Sequence, residues 1–377
     1  MKLRASFIIA LALALLPACA SQTAEAPSAE VPLSTFPVRE LSPAEEKLAS
    51  MSLEEKAWQM LYVFPEDICG ERCCGDRELW VSALNERPAG GICFVSENMP
   101  SEEELRAMLE AINKADMGVF LGLDEEGGNV ARLAYTLGVT TDFEPMYEYR
   151  EKGAIGAYEN ARTIAADIAS FGFNMDFAPV ADVWTNKSNT VIGRRAYSDD
   201  ANEAAELVAA AVQGFHSGGV ISVLKHFPGH GDTLEDSHYA SAHSGKSYSE
   251  MRECELLPFR AGMEAGAEVI MVGHIIAGSI DPGVPATLSG KLINGVLRGD
   301  MGFDGVVMTD AFTMVGVGDT PEAEAAVRAV KAGCDIILAP ADPDAVVEAI
   351  MENISPSRID ESVLRILELK FGWGIMG

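Results

Sequence analysis

The chain is 377 residues long, 48% hydrophobic and 23% charged, a composition that suits a globular body with a large core. Its 57 acidic residues outnumber 28 basic ones, giving a formal net charge of −29. That balance excludes a nucleic-acid binder, which needs a basic footprint; it favours solubility and says nothing of fold.

The first segment, MKLRASFIIALALALLPA (1–18), has a short basic start followed by an apolar run. The run is too short for a transmembrane helix and has the layout of an export signal. Leu16-Pro17-Ala18-Cys19 resembles a bacterial lipobox, so Cys19 is expected to carry a lipid in an extracytoplasmic, membrane-anchored protein. Residues 19–45 are rich in Ala, Pro, Ser and Glu and read as a flexible tether, reaching on the order of 25–30 Å as a coil. Cys69, Cys73, Cys74 and Cys93 lie close in sequence, and outside the cytosol one disulfide among them is expected, its pairing open. A zinc site is the alternative for these four. Cys254 and Cys334 sit in apolar surroundings and read as packed thiols.

From about residue 46 to 377 one rhythm continues. Short apolar runs recur at 59–64, 91–96, 118–124, 173–180, 221–227, 268–274, 304–310 and 334–340. Helical patterns separate them. SEEELRAMLEAINKAD (101–116) has Ser101 as its cap and Glu104 at capping-box spacing, and ANEAAELVAAAVQGFHSGG (201–219) ends on glycines. Near-continuous apolar strands alternating with amphipathic helices indicate a parallel sheet covered by helices. Eight such units predict an α/β fold, one (β/α)8 barrel of TIM type forming a single catalytic domain. Function is then expected at the C-terminal strand ends, where Asp124, Asp182, Lys225, His226, His274 and Asp310 fall.

KHFPGHGDTLEDSH (225–238) concentrates histidines on a stretch that cannot be helical. His226 and His230 have the i,i+4 spacing of zinc helices, but Pro228 and Gly229 lie between them. An acid–base reading fits better: Asp236 two residues before His238 fixes the imidazole tautomer and leaves its other nitrogen for proton transfer. Standing alone, a D-x-H triplet is also the pattern of many surface turns.

The whole stretch resembles the KHFPGHGD-T-x-x-DSH signature of glycoside hydrolase family 3, in its β-N-acetylhexosaminidase branch. MSLEEKAWQML (51–61), LDEEGGNVARL (123–133), NMDFAPVADV (174–183), IGRRAYSDD (192–200) and DGVVMTDAF (304–312) are similar to further blocks of that family, in the same order. The resemblance implies Asp310 as nucleophile, with His238, oriented by Asp236, as acid and base. It implies Asp124, Arg132, Arg195, Lys225 and His226 around the sugar, with neither metal nor cofactor. Arg194 reads as surface, His230 as a support of its loop, and His274 has no assigned role. The implied activity is retaining release of terminal β-linked N-acetylglucosamine from cell-wall fragments or other exported glycans. A β-glucosidase or glycoside phosphorylase on the same barrel, or a sugar-binding lipoprotein without catalysis, are the alternatives. This chain departs from the pattern at Asn129, where the family has arginine, and in the Cys69–Cys74 insertion.

Overall fold

The computed structural model describes residues 40–115, 118–233, 242–314 and 320–377. Each apolar run contributes one strand: β1 Leu61–Val63, β2 Gly91–Phe94, β3 Phe120–Leu123, β4 Met175–Asp176, β5 Ile221–Phe227, β6 Val269–Val272, β7 Val306–Thr309 and β8 Ile337–Leu338. They pair in parallel in chain order, and β8 returns to β1 with Ile337 opposite Leu61. A bridge between Met308 and Ile336, with the Thr309 N–H donating to the Ile336 carbonyl at 3.0 Å, joins β7 to β8 and closes the ring. The result is the expected (β/α)8 barrel.

Every strand residue is buried, which is why the runs are continuously apolar rather than alternating. The Tyr62 ring fills the barrel interior, stacked 6.4 Å from Phe120 and edge-on 5.6 Å from Phe177. Glycine is required opposite it: a Cβ on Gly91 would stand 2.3 Å from that ring, and one on Gly122 2.6 Å from its hydroxyl. The helices begin where the sequence caps them. The Glu104 N–H donates to Ser101 Oγ at 3.2 Å ahead of Glu102–Ala115, and Asp200 caps Ala201–Ser217. Ser42 likewise caps a helix over Pro43–Ser50 with a full capping box, and Ala44 is buried. Ordered structure thus starts inside the segment expected as tether, because Ser42-Pro43-Ala44-Glu45 is a helix-start signal.

Residues 41–377 form one compact unit. No helix among the described residues is long and apolar enough to cross a membrane. Cys19 lies outside them. Cys69, Cys73, Cys74 and Cys93 are free thiols. The disulfide expected among them is not formed: Cys69 Sγ donates to the Pro65 and Glu71 carbonyls, Cys74 Sγ accepts from the Asp76 N–H, and Cys93 is buried in β2.

At the closing seam, the buried Asp335 just before β8 gathers three arginines. Arg298 reaches it at 2.6 Å, and Arg365 and Arg358, from the helix Pro356–Gly372, at 3.2 and 3.4 Å. The same carboxylate accepts from the Val307 N–H in β7 at 3.0 Å.

Candidate active site

A cavity of about 350 Å³ opens at the C-terminal end of the barrel, and all eight strands or the residues just after them line it. Phe64, Phe94, Phe177, Met271 and Leu338 make an apolar side. Asp124, Arg132, Arg195, Lys225, His226 and Asp310 make the polar side. Six of the residues expected to bind or react therefore meet in one space. Asp236 and His238 lie outside the described residues.

Asp310 directly follows β7 and is buried, 8% exposed. Its N–H donates to the Val272 carbonyl at 2.9 Å, and its Oδ1 accepts the Ala311 N–H at 2.8 Å. His274 supports this turn from outside the cavity. A carbonyl only accepts, so His274 Nε2 carries the proton given to the Ala311 carbonyl at 3.1 Å, and Nδ1 accepts from the Thr287 hydroxyl at 2.8 Å.

The cations that line the cavity are held by an alternating chain of charges. Arg132 donates to Asp124 at 3.0 Å, and Lys225 Nζ bridges Asp124 at 2.5 Å and Glu126 at 2.6 Å. Arg195 grips Glu126 with a fork, Nε to Oε2 at 2.8 Å and Nη2 to Oε1 at 2.7 Å. In Asp124, Glu126, Lys225 and Arg195 burial opposes charge, and the partners overcome it. Asp124 is held well below the ordinary carboxylate range, chiefly by Lys225 and then Arg132. Glu126 is lowered by Arg195 and Lys225, and Lys225 is raised by Asp124 and Glu126. Arg132 opens the helix Arg132–Leu137, whose Leu133 and Ala134 N–H groups donate to the Glu125 carboxylate at 2.8 and 3.1 Å. Arg132 Nε is buried and makes no hydrogen bond among the described residues.

His226 and His230 share a second carboxylate. His226 Nδ1 donates to Asp182 Oδ2 at 2.8 Å, and the His230 N–H donates to Asp182 Oδ1 at 2.6 Å. This leaves His226 Nε2 as the ring nitrogen for the cavity. The two rings meet edge-on at 5.9 Å, a hydrogen-bonded arrangement anchored on one buried aspartate. Among the described residues, no three His, Cys, Asp or Glu side chains gather as metal ligands. His230 both supports its segment and lines the cavity, going beyond the expected supporting role. Arg194 pairs with Glu148 on the surface at 2.7 Å, as expected, and Asn129 lines a neighbouring groove shared with Arg195.

Two functional supports escaped the sequence reading. Glu126 sits beside Asp124 in LDEEGG, and adjacency was its only signal; Asp182 was visible as a polar strand end but received no role. The apolar side of the cavity read as core, because phenylalanine and methionine at strand ends look the same in either place.

A closed barrel whose mouth sets the Asp124 and Asp310 carboxylates beside arginine, lysine and histidine donors has an arrangement suited to a glycosidase. The profile described as Glycosyl hydrolase family 3 N terminal domain matches residues 52–369. The chain belongs to that family and is a glycoside hydrolase. It is 35% identical to a protein named Beta-hexosaminidase from Stenotrophomonas maltophilia (strain K279a) over 273 residues, covering 71% of this chain and 80% of that one. A Beta-hexosaminidase from Xanthomonas oryzae pv. oryzae is 33% identical over 287 residues, or 74% and 84% of the two chains. Among solved structures, a glycoside hydrolase family 3 beta-N-acetylglucosaminidase from Paenibacillus sp. matches with a TM-score of 0.79 and 33% identity. The match covers 86% of this chain but 63% of that longer one. A Beta-N-acetylhexosaminidase from Beutenbergia cavernae matches at 0.73 and 27%, over 86% and 99%.

Proposed function

We propose that this chain is a retaining exo-β-N-acetylhexosaminidase that releases terminal β-linked N-acetylglucosamine. The observation that carries the reading is the meeting of Asp310 with Asp124, Arg132, Arg195, Lys225 and His226 in one cavity, in a chain a third identical to named hexosaminidases. A cavity of about 350 Å³ at the barrel mouth is of the size that takes one sugar ring, which supports cleavage from a chain end.

In this mechanism Asp310 attacks the anomeric carbon as the glycosidic bond breaks, giving a covalent glycosyl-enzyme. Its Oδ1 is occupied by the Ala311 N–H, so Oδ2 is the attacking atom. His238, oriented by Asp236, gives its proton to the departing oxygen and then takes one from the incoming water, which displaces Asp310. Asp124, Arg132, Arg195, Lys225 and His226 hold ring hydroxyls and the acetamido side. Fork donors and short carboxylates suit that task because each offers two bonds in fixed geometry. We place the enzyme outside the cytoplasm, anchored through Cys19, with cell-wall fragments among its substrates; the lipobox-like LPAC and the signal layout support this.

The test is a 2-fluoro-glycoside trap followed by peptide mapping. The adduct is expected on the peptide containing Asp310, and Asp310→Asn is expected to abolish turnover with the fold intact. An adduct on another carboxylate, or near-normal turnover by Asp310→Asn, removes Asp310 as nucleophile. Preference for glucosides over N-acetylglucosaminides would overturn the substrate assignment instead.

A further inference from the structure

We infer that Glu126, which stands behind the cavity wall, is a positioning residue for substrate binding: it holds Arg195 and Lys225 side by side and so fixes where their donors meet the sugar. The inference rests on the proposed reading that these two cations bind the substrate.

Glu126 itself does not line the cavity, whereas Arg195 and Lys225 both do. Its carboxylate is only 3% exposed; it accepts two hydrogen bonds from Arg195 at 2.7 and 2.8 Å and forms an ion pair with Lys225 at 2.6 Å. Arg195 is fastened on its other side by Nη1 donating to the Val191 carbonyl at 2.9 Å, so the fork on Glu126 is what sets the guanidinium plane. Lys225 has two carboxylates, Asp124 and Glu126, and Asp124 is shared with Arg132. The other charged or titratable groups around Lys225 are Arg195, Asp176 in β4, the Asp182–His226 pair and Asp310, which faces the same cavity from β7.

Removing the charge of Glu126 would therefore leave two like charges adjacent at a largely buried place, with Asp124 still paired to Lys225 but no carboxylate left on Arg195. Two consequences follow from charge and geometry together. The guanidinium loses its fork and the ammonium swings toward Asp124, so sugar binding weakens. Lys225 also sheds its proton more readily, so binding weakens further as pH rises.

The test uses Glu126→Gln, which keeps shape and removes charge, with a chromogenic N-acetylglucosaminide at pH values from about 6 to 9. KM is expected to rise about tenfold at neutral pH and to climb further above wild type toward the alkaline end, with kcat changing much less. KM within about twofold of wild type at every pH overturns the inference. Should Glu126→Gln fail to fold, Glu126→Asp takes its place. It keeps the charge but shortens the reach, so KM should rise without the added alkaline climb, and an unchanged KM is fatal. Lys225→Met separates the two readings. If that variant leaves KM unchanged, the substrate reading fails and this inference with it; KM raised there but unchanged in Glu126→Gln defeats this inference alone.

Discussion

Asp182 is wholly buried, and burial pushes its carboxyl up. The attraction of His226, the hydrogen bond from that ring and then His230 outweigh burial and keep it below the ordinary range. One aspartate thereby fixes both the orientation and the tautomer of the cavity-facing His226. Asp182→Asn puts an amide N–H₂ or a weaker acceptor against two donors. We expect kcat/KM to fall about ten- to hundredfold, the equivalent of roughly 1–3 kcal/mol for a mispaired buried group. Steady-state kinetics with a thermal melt checks this, and unchanged kinetics would leave Asp182 a purely structural residue. Lys370 presents the opposite case at the other end of the barrel. Its ammonium has the Gln59 side-chain amide oxygen at 2.7 Å and the Phe120 ring centroid at 5.0 Å, and burial pushes it down to about 7. Between pH 7 and the ordinary lysine range the unfolded chain binds the extra proton and the folded chain does not, so stability rises with pH across that window. Lys370→Met lacks this penalty. Its melting temperature relative to wild type should therefore be highest near pH 7 and converge on it toward about pH 10, and a gap independent of pH refutes the assignment.

At the level of elements, the strands were legible because burial on both faces leaves uninterrupted apolar runs, and two of the helices because Ser101 caps one and glycines end the other; the helix that Ser42 caps was read as tether. The convergence of Asp124, Lys225, His226 and Asp310 followed from barrel geometry, which brings strand ends together at any sequence separation. The bonds that hold them did not follow. Glu126 meets Arg195 across 69 positions and Asp182 meets His226 across 44, and no local pattern records such pairings. Asn189 illustrates the same point. Its side chain accepts from the Val191 and Ile192 N–H groups at 2.9 Å each and donates to the His230 carbonyl at 2.7 Å, tying the Arg195 turn to the histidine-rich stretch. Gly231 makes that approach possible, since a Cβ there would stand 1.9 Å from the Val183 carbonyl oxygen. Backbone on both sides leaves no flexible group to yield. Gly231→Ala should cost on the order of 1–3 kcal/mol and lower kcat/KM by displacing the segment that leads to His238. Differential scanning calorimetry and kinetics on the same preparation would detect both, and wild-type behaviour in both would deny the close contact its importance.

For the whole molecule, the sequence was informative in a different way. Repetition of strand and helix eight times specified a barrel, while composition specified only an acidic, soluble body. A net charge of −29 on 377 residues implies self-repulsion in the folded state. Raising salt from about 0.01 M to 0.1 M shortens the screening length from about 30 Å to about 10 Å. The melting temperature should rise over that range; a fall would mean that ion pairs such as those of Asp335 outweigh the repulsion.

Asp335 also bears on how the barrel comes into being. The clasp between β7 and β8 draws Arg358 and Arg365 from a helix that follows both strands. Arg298 is in the chain before either stave, whereas Arg358 and Arg365 come after both. A chain cut after about residue 350 should therefore hold a seam with one of its three latches, more open to protease than that of the full chain.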